Sequence, residues 1–180
     1  DDFMVGMEIA CPARLPFFTW RRLAPAIALS LVLVLVSSFG YRHYLYAQPV
    51  MAYVTVDSTG SVELEVNGAG LVTSATPINK EGEEVLSSVQ YKNKPAEEVV
   101  SAIVKAQDPE KKSDVVVAVI PVEPKSEAPA KKQEKIEKAV SEMEKKIVDG
   151  ASANAGGLTS MRLGMEVRDA ASAIGISAGR

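Results

Sequence analysis

The sequence predicts an α+β (α/β) fold, in which a mixed β-sheet with flanking helices is preceded by one transmembrane helix. Three observations support this prediction. An uncharged apolar run lies near the N-terminus, strand-like segments follow it, and segments with helical spacing of apolar residues are interspersed among those strands. Strands interspersed with helices are typical of a sheet covered by helices. We therefore expect one membrane anchor and one folded domain within the 180 residues.

The apolar run extends from Leu23 to Tyr41 and contains no charged residue. A helix needs about 20 such residues to cross the hydrocarbon core of a bilayer. Trp20 precedes the run and tyrosines follow it, as in the aromatic belts of membrane interfaces. Arg21 and Arg22 lie before the run, whereas only Arg42 follows it closely. Because basic residues mark the cytoplasmic side, we expect the N-terminus in the cytoplasm.

These features divide the chain into three predicted parts. We expect a cytoplasmic segment at residues 1–22, a transmembrane helix at 23–44 and an extracytoplasmic domain at 45–180. A cleaved signal peptide is the alternative, since its basic start and apolar core have a similar pattern. The long segment before the apolar run and the poor cleavage motif at residues 45–47 favour an anchor. The chain begins with Asp rather than Met, and we expect it to be a fragment of a longer protein.

A β-hairpin opens the predicted domain. Met51–Asp57 is rich in β-branched and aromatic residues, and Ser61–Val66 alternates apolar with polar residues. The connection between them is three residues long, and its Gly60 can take a positive φ. We expect this hairpin at an edge of the sheet. Glu63 and Glu65 would then share one face, which could serve acid–base chemistry but is more typical of a solvated surface.

The remaining elements follow from turn residues and apolar spacing. Glycines at 68 and 70 predict a turn, and the apolar run at 114–122 predicts a central strand that is buried on both faces. In chain order we expect a third strand at Leu71–Ile78, a helix at Pro95–Ala106, the central strand at Asp114–Val122, a helix at Lys131–Val148, a linker at Ala151–Gly157, a short apolar piece at Leu158–Leu163, and a helix at Glu166–Ile174 closed by Gly175.

Composition and residue counts argue against several classes of function. A net charge of −3 and a pI near 5.3 provide no basic patch for nucleic acid. The single cysteine, Cys11, cannot form an intramolecular disulfide, and with the single histidine, His43, it cannot complete a Cys/His zinc site. His43 lies at the predicted membrane exit, where an interfacial role is more typical than catalysis. We expect no enzymatic activity, metal or cofactor.

Several motifs resemble a known family. Ala52–Asp57 followed by Ser61–Leu64, directly after one membrane helix, resembles the juxtamembrane region of bacterial anti-sigma-I factors, the RsgI family. Three further segments look like parts of the family's extracytoplasmic domain: Pro77–Leu86 resembles a strand exit, Lys92–Val99 a helix start and Ala173–Arg180 the closing stretch. Phe3–Ile9 looks like the last strand of the family's cytoplasmic sigma-binding domain. The resemblance implies that most of that cytoplasmic domain is missing here.

The resemblance implies a membrane-bound anti-sigma factor that acts through transmembrane signalling and regulated proteolysis. In this family the cytoplasmic domain holds an alternative sigma factor, and an outside event leads to proteolysis that frees it. The implied partners are an alternative sigma factor on the N-terminal side, a membrane protease and the lipid bilayer, with no nucleic acid. The implied location is the cell membrane, with the C-terminal domain outside the cytoplasm.

The hairpin departs from the family pattern at its connection. The family typically has a D-x-N-P-S-x-E-L motif there and is cleaved between Asn and Pro. This chain has Thr59 and Gly60 at those two positions, flanked by Asp57, Ser61 and Glu63. An Asn side chain can attack its own carbonyl whereas Thr cannot perform that cyclisation, and the loss of Pro changes the restraint on the turn. We predict that this hairpin does not cleave itself by the family's route.

Two other functions fit the same architecture. A membrane-anchored structural or adaptor domain of a cell-envelope complex could dock a partner on its sheet edge or on the helix at Lys131–Val148. A cell-surface enzyme or carbohydrate-binding module is disfavoured, because the single Trp, four Phe and five Tyr leave few rings for a sugar platform.

Overall fold

The computed structural model describes residues 20–107, 110, 113–122 and 130–180. The chain divides into two compact units, residues 1–42 and residues 43–180. The predicted strand at Phe3–Ile9 and most of the predicted cytoplasmic segment lie outside the described residues.

The first helix, α1, runs from Trp20 to Tyr46 without interruption. The large apolar side chains from Ile27 onward are exposed, and Phe39 is 77% exposed. The stretch Ile27–Tyr46 is long and apolar enough to cross a membrane. The helix predicted at residues 23–44 is therefore present and extends beyond both predicted ends, and its exposed apolar surface is compatible with a single-pass anchor.

Among the described residues, the sheet has five strands in the order β3-β2-β1-β4-β5. All pairs are antiparallel except β4 with β5, so the predicted mixed sheet is confirmed. The strands are β1 at Val50–Asp57, β2 at Ser61–Asn67, β3 at Val72–Pro77, β4 at Asp114–Pro121 and β5 at Gly157–Arg162. The edge position predicted for the hairpin is wrong, because β1 lies in the middle of the sheet and β3 covers the outer side of β2.

In the part of the chain that the structure describes, four helices accompany the sheet: α2 at Lys80–Ser88, α3 at Ala96–Gln107, α4 at Ala130–Ser152 and α5 at Met165–Ala173. The predictions of α3, α4 and α5 are confirmed to within a few residues, and the left-handed Gly175 (φ 71°) ends α5 as expected. Helix α2 was not predicted. The resemblance implies only a strand exit at this segment, whereas Asn79 caps a helix there and Glu81 and Glu83 lie in its first turn.

The main core lies between one face of the sheet and helices α3 and α4. Alternate residues of β1 and β2 point to this face, and Val54 and Leu64 are fully buried there. Ile103 of α3 and Ile147 of α4 are also fully buried in this cluster. Strand β4 is buried on both faces, as predicted, because α5 contacts the opposite side. This second face carries the polar residues of the hairpin.

Candidate functional site: the β1–β2 hairpin

The hairpin connection consists of Ser58, Thr59 and Gly60, as the sequence predicts. Asp57 and Ser61 are the last cross-strand pair before it, and the Ser58 amide donates to the Gly60 carbonyl at 3.1 Å. Thr59 is exposed at the tip, whereas Gly60 is buried. The Thr59–Gly60 peptide therefore lies where an exposed tip meets a packed surface.

Asn79 fastens the hairpin to the start of α2. Its Oδ1 accepts hydrogen bonds from the Ser61 amide at 2.8 Å and from the Gly82 amide at 2.9 Å. Its Nδ2 donates to the Thr59 carbonyl at 3.4 Å. One side chain thus caps the helix and satisfies two backbone groups of the hairpin.

Gly60 is required because of its packing rather than because of its φ. Among the described glycines only Gly70 and Gly175 have a positive φ, so Gly60 does not adopt the positive φ that the sequence allows. A Cβ at Gly60 would lie 2.9 Å from the Gly82 amide nitrogen, and real Cβ atoms essentially never come this close to another heavy atom. Glycine is present because the hairpin backbone lies directly against the backbone of α2.

A buried polar cluster lies beside the hairpin, formed by Thr55, Asp57, Ser58, Ser61 and Ser177. Asp57 is 3% exposed, and its Oδ2 accepts a hydrogen bond from Ser177 Oγ. In the described part of the chain, Asp57 has no salt bridge, and Thr55 Oγ1, Asp57 Oδ1, Ser58 Oγ and Ser61 Oγ make no hydrogen bond. Such groups are costly to bury, so the surrounding contacts must hold this arrangement in place.

The last residues of the chain cover this cluster. The Gly179 amide donates to Ser177 Oγ at 3.1 Å, and Arg180 Nη2 donates to the Ser58 carbonyl at 3.0 Å. A Cβ at Gly179 would overlap the Asp57 carboxylate, so the backbone passes directly over the carboxylate. The C-terminal segment therefore hydrogen-bonds both to the cluster and to the hairpin backbone.

Glu63 is held by an ion pair rather than solvated. Arg168 of α5 donates to both carboxylate oxygens, at 3.1 Å and 2.7 Å, and its guanidinium carbon lies 3.7 Å from the centre of the Tyr53 ring. The hydrogen bond to Glu63 raises the pKa of Arg168 by stabilising the charged guanidinium. The expectation of a solvated face at Glu63 is therefore wrong, because α5 covers it.

The structure brings together some of the site residues named from the sequence and adds others. Asp57, Gly60 and Ser61 lie in or directly beside the cluster, whereas the Thr59 side chain is exposed away from it. The sequence-based interpretation missed four residues that contact the hairpin or its strands: Asn79, Arg168, Ser177 and Arg180. Only Asn79 had a local signal, the helix-capping pattern with acidic residues in the first turn.

The chemistry of the site is that of a packed polar contact. No group of three metal-ligating His, Cys, Asp or Glu side chains occurs among the described residues. At the position where the resembling family has Asn, the Thr59 side chain has no amide nitrogen to form a succinimide. The site residues hold the backbone of the hairpin in position, and Asp57 is the acidic residue of the cluster.

Replacing Asn79 by alanine is expected to lower the free energy of unfolding by about 1–2 kcal/mol, because the Ser61 and Gly82 amides lose their acceptor. Chemical denaturation followed by circular dichroism measures this loss. Asn79→Asp is the matched control, since it keeps the accepting oxygen and should retain most of the stability. Equal losses in the two variants would contradict the capping role.

Comparison with known protein families identifies a family for the part of the chain that follows α1. A family model described as the anti-sigma factor RsgI-like central domain matches residues 51–180. The match includes every strand and helix after α1 except the first residue of β1. A comparison with curated proteins finds no match. The chain therefore belongs to the RsgI-like anti-sigma factor family, and its sheet domain is the central domain of that family.

Proposed function

We propose that this chain is a membrane-bound anti-sigma factor, in which α1 crosses the membrane once and the sheet domain lies outside the cytoplasm. One observation supports this proposal above others. The RsgI-like central domain follows an exposed apolar helix long enough to span a bilayer, with only residues 47–50 between them. Family membership supports an anti-sigma role and a sigma factor as partner, and the helix supports a membrane location.

The three parts of the chain then have separate roles. Residues 1–22 lie in the cytoplasm and end a domain that holds an alternative sigma factor. Residues 23–44 cross the lipid bilayer, and residues 45–180 form the extracytoplasmic domain. A membrane protease acts on the chain in response to an outside event and frees the sigma factor. In this proposal the domain regulates proteolysis and has no catalytic role of its own.

The proposed topology is tested by fusing reporters to the C-terminus of the chain in a bacterial host. An alkaline phosphatase fused there should be active, because the enzyme folds outside the cytoplasm. A green fluorescent protein fused at the same position should not fluoresce, because it would be exported unfolded. Leu33→Arg places a charge in the middle of the span, at a cost of about 2.5–3.5 kcal/mol, and should reduce phosphatase activity and membrane retention. A fluorescent, soluble fusion of the unmodified chain would contradict the anchor.

The sigma factor partner is tested by isolating the chain, with its natural N-terminal residues, from its own membranes in mild detergent. Mass spectrometry should identify an alternative sigma factor in the purified complex. A variant in which those N-terminal residues are deleted is the control and should lose it. Recovery of cell-envelope proteins without a sigma factor would instead favour the adaptor function.

The hairpin is expected to remain uncleaved on its own. Mass spectrometry of the purified chain should give one species at its full mass of 19.2 kDa, because Thr59 cannot cyclise as Asn does. Thr59→Asn supplies the missing amide at the exposed tip and shows whether that group alone limits the reaction. Two fragments of the unmodified chain, with masses that correspond to a break at the Thr59–Gly60 bond, would refute the prediction.

A further inference from the structure

Residues 165–180 form a layer of their own on the second face of the sheet. We call this segment, α5 with the C-terminal residues, the lid. None of its side chains belongs to the main core cluster, and Ala171 is its only buried apolar residue. Beneath it lie Ala118 and Ile120 of β4, which are fully buried but lie outside the main core. The lid's own side chains therefore contribute little apolar burial, and the apolar surface that the lid covers is mainly that of these two residues.

Three of the larger apolar side chains of the lid are exposed to solvent. Val167 is 45% exposed, Ile174 is 72% exposed and Ile176 is 43% exposed. Among the described residues outside α1, no other large apolar side chain is exposed to this degree. A helix that packs on a sheet ordinarily turns its apolar side chains inward, so these exposed side chains leave the lid with little hydrophobic burial of its own to hold it closed.

Polar contacts attach the lid instead. Arg168 makes the bidentate ion pair with Glu63 and lies over Tyr53, and both carboxylate and guanidinium are mostly buried. Ser177 donates to Asp57, and Arg180 donates to the backbone of Ser58. Each of these contacts joins the lid to β1, to β2 or to the connection between them. The hairpin is therefore the main polar attachment point of the lid.

The N-terminal boundary of the lid has the character of a hinge. The Leu163 amide makes the last ladder bond, to the Val119 carbonyl at 3.0 Å. Gly164 then precedes α5 in an extended conformation. A glycine at this point allows the backbone to rotate without displacing β5. The sheet can thus stay paired while the segment after Gly164 moves.

We propose that residues 165–180 open as a unit about Leu163 and Gly164, exposing the buried polar cluster at Thr55 and Asp57 while the sheet, α3 and α4 stay folded. Elements with few buried apolar contacts open at a lower free energy than the core. In the closed state the lid blocks the Asp57 side of the hairpin, and in the open state a protease or other partner can reach it. This opening is a property of the folded domain and holds whether or not the chain binds a sigma factor.

Thiol labelling of the full chain in detergent micelles tests the proposal. In a Cys11→Ser background, Thr55→Cys places a thiol beneath the lid, and Val54→Cys places one in the main core next to it. Both positions are fully buried in the closed state. Each is combined with Glu63→Gln or Ser177→Ala, which weaken the attachment of the lid. Glu144→Gln is the matched control, because it removes the Arg162–Glu144 ion pair outside the lid.

Weakening the attachment of the lid should increase the labelling rate at Thr55→Cys by about tenfold or more, and tenfold corresponds to about 1.4 kcal/mol. The labelling rate at Val54→Cys should stay the same within about twofold. Glu144→Gln should change neither rate. Equal acceleration at both thiols, or none at either, would overturn the proposal, since the first indicates global unfolding and the second a lid that does not open separately.

Hydrogen exchange of the unmodified chain provides a second measurement that needs no substitution. Amides of α5 should exchange at least about tenfold faster, relative to their unprotected rates, than amides of α3 and β4, because they exchange through the local opening. Equal protection of α5 and α3 would show that the lid unfolds only with the whole domain, and the proposal would then be wrong.

Discussion

Replacing Leu64 by alanine is expected to lower the free energy of unfolding by about 3 kcal/mol. Leu64 is the largest side chain among the fully buried residues of the hairpin, and it packs in the core between the sheet and the helices. Its strand is hydrogen-bonded on both sides, to β1 and to β3, so the backbone cannot move inward to fill the cavity. The site should therefore show the cost of an unrelaxed cavity.

Chemical denaturation of the full chain in detergent, followed by circular dichroism, measures this loss. Ile174→Ala removes an aliphatic side chain of similar size that is 72% exposed, and it should change stability by less than about 0.5 kcal/mol. A loss below about 1 kcal/mol for Leu64→Ala, or equal losses for the two variants, would contradict the position of the core.

Elements with strong local patterns could be predicted from the sequence. The alternation of polar and apolar residues in Ser61–Val66 predicted β2 correctly, because only one face of that strand is buried in the main core. The apolar spacing in α3 and α4 places their buried residues against the sheet, as predicted. In each case the signal and the structure it determines lie within one short segment.

Two features of the fold depend on information that no local pattern carries. Strand β4 pairs with β1 across more than 50 residues of sequence, and this pairing moves the hairpin from the predicted edge to the centre of the sheet. Helix α2 fully buries only Gly82, and its apolar side chains Val85 and Leu86 pack against the core only partly buried, which leaves too short an apolar pattern for periodicity to detect. Its N-cap at Asn79 was the available signal, and the capping rules identify it more directly than hydrophobicity.

The candidate site shows the same division. The turn chemistry placed Asp57, Gly60 and Ser61 at one hairpin, and the structure brings them together there. The groups that cover them come from a distant part of the chain, as Ser177 lies 120 residues from Asp57. Glu63 was expected to be solvated because a polar residue on a strand is usually exposed, but here a basic residue from α5 satisfies it. Sequence patterns indicate burial of apolar side chains far better than pairing of polar ones.

Gly82→Ala is expected to destabilise the domain by about 2–3 kcal/mol, although the same change in a helix ordinarily stabilises it by about 1 kcal/mol. A Cβ at this position would overlap the Ser61 carbonyl and lie 2.9 Å from Asn79 Oδ1. Neither group can move independently, since the Ser61 carbonyl accepts from the Ile78 amide at 2.9 Å and Asn79 accepts from the Ser61 amide. The steric overlap should therefore outweigh the gain in helix propensity.

The sign of this effect separates the two contributions. If α2 only happened to lie near the hairpin, alanine would strengthen the helix and raise the denaturation midpoint. If the hairpin and α2 pack backbone against backbone, alanine must push them apart and lower it. Gly68→Ala is the matched control, because a Cβ there would meet only the Gln48 side chain at ordinary contact distances of 3.7–3.8 Å. Its midpoint should hardly change, so a rise for Gly82→Ala would show that α2 does not hold the hairpin.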